Sequence, residues 1–224
     1  MKKFFKHIWS WRLLVGMIIF FFFAASFFNI VEGLRNREQI VQTDALVTNW
    51  VQTIRTPQLT VYMTGATNSA DWPAIAIILG AVGLISFFKK RWSYFLALTA
   101  SVALGEIMVM LLKLWVARPR PPALDALLVE KDFSFPSGHA FAAMSLYGLL
   151  TFLLVHFAKN KFLKVLIFLL GLLIVLAIGF SRIYLGVHWL SDVLASYALG
   201  IAWLAIFITA IETKWHLRSS KNRR

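Results

Sequence analysis

The chain has no cysteine. Disulfides, thiolate nucleophiles and Cys-ligated zinc or iron–sulfur centres are excluded, so any catalysis rests on His, carboxylate or hydroxyl groups. Acidic residues are also scarce: 10 against 23 Lys and Arg in 224 residues, a formal charge of +13. A nucleic acid would need that excess on a basic soluble face, whereas these charges fall in short clusters between apolar runs, which argues against nucleic-acid binding. No internal repeat is present, and no low-complexity segment beyond the basic tail.

What the chain has in abundance is apolar sequence, 59% hydrophobic with mean hydropathy +0.72. That composition, with several runs near twenty residues, predicts an all-α polytopic membrane protein forming one membrane-embedded domain over 1–224. Apolar windows place six spans at approximately 13–31, 72–88, 92–112, 140–158, 162–180 and 190–211. In lipid every backbone group must be satisfied within its own segment, so these are helices.

Lys2, Lys3, Lys6 and Arg12 precede the first span, Lys89, Lys90 and Arg91 join the second to the third, Lys159, Lys161 and Lys164 join the fourth to the fifth, and five more follow the last. Fifteen of the 23 basic residues thus share one side, which the positive-inside rule makes cytoplasmic, together with both termini. Trp9, Trp11, Trp92 and Trp215 mark those ends, and Trp72, Trp115 and Trp189 the opposite ones, as an aromatic belt would. The apolar run near the N-terminus is longer than a signal-peptide core, so the first helix is expected to be retained. In the longest loop, Ile40, Val41, Val47, Trp50, Val51 and Ile54 recur at helical spacing, predicting an amphipathic helix over about 39–55. It lies either on the outer leaflet or against the bundle ends.

Three polar segments, 113–121, 136–139 and 181–192, sit at span ends on the side opposite the basic clusters. Charged groups near membrane spans are expensive and mark functional candidates. His188 and Asp192, four apart, share a helix face within reach of a carboxylate–imidazole contact that would fix the tautomer and leave the other nitrogen basic. Arg182 offers a fork for phosphate oxygens. Alone, the pair also reads as a helix cap. Ser137 and Gly138 open the fourth span, where free amides form an anion site, and His139 beside them could protonate a leaving oxygen; Ser137 as a plain N-cap is the alternative. Lys113 supplies a point charge and Arg120 a bidentate fork, from a loop stiffened by Pro119, Pro121 and Pro122. Headgroup snorkelling would suit these cations on the cytoplasmic side, not on this one.

Lys113, six residues, Arg120-Pro121; Pro136-Ser137-Gly138-His139; Ser181-Arg182, five residues, His188, three residues, Asp192: taken in order, this resembles the three-part signature of the type 2 phosphatidic acid phosphatase superfamily. The resemblance covers 113–192 by motif, with every signature position matched. It implies a metal-independent, cofactor-free lipid phosphatase in which His188 attacks phosphorus to form a phosphohistidine. Asp192 orients His188, and His139 protonates the leaving group. Lys113, Arg120, Arg182, Ser137 and the Gly138 N–H hold the phosphate oxygens. Arg118 is off register, and Glu106, seven residues before Lys113, either pairs with a basic residue of the site or faces the bundle interior.

The expected protein is therefore an enzyme of the cytoplasmic membrane working on its outer face, with a lipid phosphate and the bilayer as partners and no obligate protein partner. Phosphatidylglycerophosphate leads as substrate, with undecaprenyl diphosphate, phosphatidic acid and diacylglycerol diphosphate as alternatives. A non-enzymatic carrier of anionic lipids would need no oriented imidazole. A vanadate-dependent peroxidase shares the motifs but is expected to be a soluble helical protein. A neutral His188 working with a protonated His139 predicts a rate that falls on both the acidic and alkaline sides.

Overall fold

The computed structural model describes residues 11–36, 39–122 and 126–221, with side chains described as far as residue 216. Lys2, Lys3, Lys6, Trp9 and most of the basic tail lie outside the residues whose side chains are described. Among the described residues the chain is helical throughout, with no strand. In order, the helices are α1 Trp11–Arg35, α2 Gln39–Thr53, α3 Pro57–Asn68, α4 Trp72–Phe88, α5 Trp92–Val116, α6 Gly138–Phe157, α7 Lys161–Tyr184 and α8 Leu190–Lys221.

The six expected spans fall on α1, α4, α5, α6, α7 and α8. Five of these are long and apolar enough to cross a membrane alone; α4 qualifies only when joined to α3, from which it bends by 51°. The reason is length, since the 17 residues of α4 rise about 25 Å against a hydrocarbon core of about 30 Å. The lipid-facing surface is apolar, as the exposure of Phe21, Phe22, Leu104, Ile107 and Leu173 shows. α1 lies along α8, α5 against α4 and α6, and α7 against α3 and α6. Small residues let these helices close up: a Cβ at Gly179 would meet the Tyr197 Oη at 1.9 Å, and one at Gly105 would meet Phe141 at 2.4 Å.

The stretch between the first two spans is more ordered than a loop carrying one amphipathic helix. α2 takes the packed alternative, lying against α1, α7 and α8 and burying Val51. It also buries Asp44 and Thr48, which an apolar-face argument does not anticipate. α3 has no counterpart in the sequence expectation. It begins where Thr56, in extended conformation, accepts the Leu59 N–H and Pro57 occupies the first turn. Both helices cover the end of the bundle at which the three polar segments meet.

Candidate active site

Helix ends deliver the site. The last turn of α5 carries Lys113 and stops at Ala117, which adopts a left-handed conformation (φ 49°) and returns its N–H to the Lys113 carbonyl. The chain then crosses the bundle end as a loop, tied by Leu127 N–H to Leu185 O at 2.8 Å and by Ser134 N–H to Arg118 O at 2.9 Å. α6 starts at Gly138, α7 ends just beyond Arg182, and α8 starts two residues after His188.

These elements enclose a cavity of about 520 Å³ whose lining includes Lys113, Arg120, Gly138, His139, Arg182 and His188. Six of the eight expected site residues therefore share one cavity wall. The other two stand behind it. Ser137 is fully buried, its hydroxyl accepting the Ala140 N–H at 3.4 Å, so its side chain takes the N-cap alternative while Gly138 reaches the cavity. Asp192 is fully buried, with Oδ2 3.4 Å from His188 Nδ1.

The surroundings of His188 set its chemistry. Its ring is 2% exposed, and Nε2 lies 3.3 Å from Arg120 Nη1. Burial pushes the imidazole down to about 4; Asp192 offsets part of that fall, while Arg182 and Arg120 add to it. At neutral pH the ring is uncharged, and a proton on Nδ1 facing Asp192 leaves the lone pair on Nε2, where Arg120 Nη1 donates to it. Asp192 is itself pinned. Oδ2 accepts the Trp189 N–H at 2.9 Å and the Ser134 hydroxyl, and Oδ1 accepts from Arg118 Nη1 at 2.5 Å.

Arg118, off register in the sequence pattern, is the centre of a buried network. Its other amino group donates to Asp44 Oδ2 at 2.6 Å, and Nη1 also reaches Ser191 Oγ at 2.8 Å. Asp44 in turn accepts the Ser191 N–H at 2.8 Å. A residue of α2 thus braces the start of α8, through an arginine that does not line the cavity.

The cations of the cavity are paired with carboxylates. Lys113 Nζ lies 2.8 Å from Asp132 Oδ2, and Arg120 donates to the other oxygen of the same group. Arg182 pairs with Glu130 and donates to Thr67 Oγ1 at 2.7 Å. His139 Nε2 lies 2.7 Å from Asp71 Oδ1. Burial would raise the Asp132 carboxyl, but Lys113 and Arg120 outweigh it and hold the group at about 2; Glu130 is likewise held down by Arg182 against the effect of burial. Two loop carboxylates sit against the three cations that would receive phosphate oxygens.

Sequence reasoning missed Asp44, Asp71, Glu130 and Asp132. With Asp192 and Glu106, which lines the cavity below Lys113, they place six of the chain's 10 acidic residues in or beside the site. The scarcity of acids was the signal that could have found them.

Cations lining one cavity with a neutral buried imidazole backed by a carboxylate and with a second histidine are equipment for phosphoryl transfer. The PAP2 superfamily family model matches residues 91–216. Phosphatidylglycerophosphatase B of Bacillus subtilis (strain 168) is 32% identical over 179 residues, 78% of this chain and 86% of that protein. The undecaprenyl-diphosphatase of Sulfolobus acidocaldarius is 25% identical over 203 residues, covering 88% and 90%. Among solved structures, the transmembrane PAP2 type phosphatidylglycerolphosphate phosphatase from Bacillus subtilis superposes with a TM-score of 0.71 at 28% identity, over 91% of this chain and 97% of that one. LpxE of Aquifex aeolicus gives 0.57 at 26% identity, over 73% and 93%. The family model spans more than half of the chain and takes in all three polar segments: the chain belongs to the PAP2 superfamily.

Proposed function

We propose that this PAP2-family membrane lipid phosphatase removes the terminal phosphate of phosphatidylglycerophosphate by way of a phosphohistidine. The carrying observation is His188: neutral, backed by Asp192, and facing a cavity that Lys113, Arg120, Arg182 and His139 also line. Nε2 attacks phosphorus, the bond from phosphorus to the lipid oxygen breaks, and His139 gives that oxygen a proton. Water then attacks the phosphohistidine, loses a proton to His139, and inorganic phosphate leaves. Lys113, Arg120, Arg182 and the Gly138 N–H meet the charge on the transferring oxygens. Ser137 acts by capping α6, and the 1–224 chain works as a single membrane-embedded unit.

Similarity to the Bacillus subtilis phosphatidylglycerophosphatase B supports this substrate over others. The likeness to an undecaprenyl-diphosphatase favours isoprenoid diphosphate as the second reading. The protein is a multi-pass membrane protein. The clustering of basic residues at one set of helix ends supports placement in the cytoplasmic membrane with both termini inside and the cavity outside.

The test is phosphate release by the purified protein from both lipids in one detergent, with His188→Ala as blank. Faster release from phosphatidylglycerophosphate, lost in the variant, is expected. Release that survives His188→Ala refutes the mechanism, and preference for the diphosphate refutes the substrate.

A further inference from the structure

Asp71 is the N-cap of α4, in the extended conformation typical of that position (φ −77°, ψ 157°). An aspartate there ordinarily accepts an N–H of the helix's own first turn. This one makes no side-chain cap hydrogen bond, and its Oδ1 instead lies 2.7 Å from Nε2 of His139 at the start of α6. The turn that carries it is fixed. Ala70 is buried against Ala143, Val175 and Ile178, and the Tyr147 hydroxyl donates to the Ser69 carbonyl at 2.7 Å. The carboxylate is held over the imidazole by α6 and α7 together. His188 has its aspartate within the same signature segment, whereas the aspartate of His139 comes from a turn outside all three.

We propose that Asp71 is a positioning residue for the leaving-group step: it engages Nε2–H of His139, fixes the ring, and leaves Nδ1–H to be given to the departing lipid oxygen. The proposal rests on His139 as the proton donor of the reaction described above. As the bond from phosphorus to His188 Nε2 forms and the bond to the lipid oxygen breaks with its electron pair on oxygen, the Nδ1 proton moves to that oxygen. His139 is then neutral, with Nε2–H still on Asp71, and Nδ1 is free to take the proton of the attacking water in the second half-reaction. The charged groups that face His139 are Asp71 from the α3–α4 turn, Glu130 from the loop before α6 and Arg182 from α7. Burial weighs most against the imidazolium and the guanidinium adds to it, while the two carboxylates favour it, so loss of Asp71 tips the balance further against the proton.

A leaving-group comparison separates this role from a structural one, because an aryl oxide departs without needing a proton and an alkoxide does not. The variants are Asp71→Asn, and Asp71→Ser, which retains a helix-capping side chain and guards against a folding defect. His139→Gln serves as reference, and kcat/KM is measured from pH 5 to 9 on an alkyl lipid monophosphate and its 4-nitrophenyl counterpart. Both Asp71 variants are expected to lose roughly 10- to 100-fold on the alkyl ester and less than about threefold on the nitrophenyl ester. Their alkaline limb on the alkyl ester should also move to lower pH. An equal loss on both esters, or no loss on either, overturns the role of Asp71. If His139→Gln itself shows no leaving-group dependence, the donor assignment falls and the proposal with it; dependence in His139→Gln but not in the Asp71 variants removes Asp71 alone.

Discussion

Replacing Arg118 by Met keeps most of the side-chain volume and removes one guanidinium from between two carboxylates. The side chains of Asp44 and Asp192 are 2% and 0% exposed, that of Arg118 12%. Each carboxylate keeps part of its hydrogen bonding, since Asp44 keeps both Ser191 donors and Asp192 Oδ2 keeps the Trp189 N–H and the Ser134 hydroxyl, while Asp192 Oδ1 loses the Arg118 donor. Countercharge does not survive. Breaking a buried pair from one side costs about 3–5 kcal/mol because a charge is left uncompensated. For a chain of this length that is roughly 6–20 °C in Tm. Adding Asp44→Asn to Arg118→Met leaves one stranded carboxylate instead of two, so the double variant should be more stable than Arg118→Met alone. Thermal unfolding in detergent reads both effects. In parallel kcat should fall while KM changes little, because Arg118 holds the partner of His188 and does not line the cavity. A Tm within about 2 °C of the parent, together with an unchanged kcat, refutes the bracing role.

Two further outcomes follow from the electrostatics. A base with its pKa lowered to about 4 stays unprotonated as acid is added, so the acidic limb of kcat/KM should lie well below the ordinary imidazole value of 6.5; a limb between pH 6 and 7 would contradict the buried His188. The unfolded imidazole binds its proton near pH 6.5 and the folded one only near 4, so His188 subtracts stability progressively across that window as pH falls, and Tm should drop less steeply on acidification in His188→Gln. Asp132→Asn frees Lys113 and Arg120 from a half-exposed partner. Inhibition by inorganic phosphate should then tighten a few-fold, in keeping with the ~0.5–1 kcal/mol of such a pair; weaker inhibition would mean that Asp132 supports the cage rather than competing for it.

Long apolar runs carry their own message, which is why the spans were legible: nothing else satisfies twenty residues of backbone in lipid. The three polar segments were legible because each keeps its residues at fixed spacing at a helix end or in the short stretch beside it. α3 escaped because Thr60, Thr64, Thr67 and Asn68 dilute its hydropathy, although Thr56-Pro57 is a readable helix start. Asp44, Asp71, Glu130 and Asp132 escaped for another reason. Each is a lone carboxylate whose partner is more than 10 residues away in sequence, and no spacing rule joins Asp44 to Arg118 or Asp71 to His139. Arg118 looked expendable because the pattern that defines the site counts from Lys113 to Arg120 and passes over it.

The cage is filled by its own acids, and that bears on how it can accelerate a reaction. Lys113, Arg120 and Arg182 converge on one cavity, and without countercharge their mutual repulsion would weigh on the folded bundle. Asp132 and Glu130 relieve it, and both remain ionised through the neutral range because the cations hold them down. On the proposed mechanism a substrate phosphate would therefore exchange one set of anionic oxygens for another, and ground-state binding would gain only the difference. In the transition state the three equatorial oxygens spread into a planar array carrying the transferred charge, an arrangement two tethered carboxylates cannot imitate. If the proposed mechanism holds, cations matched to that array would stabilise it more than they stabilise either the bound substrate or the resting loop, and only such differential binding lowers the barrier.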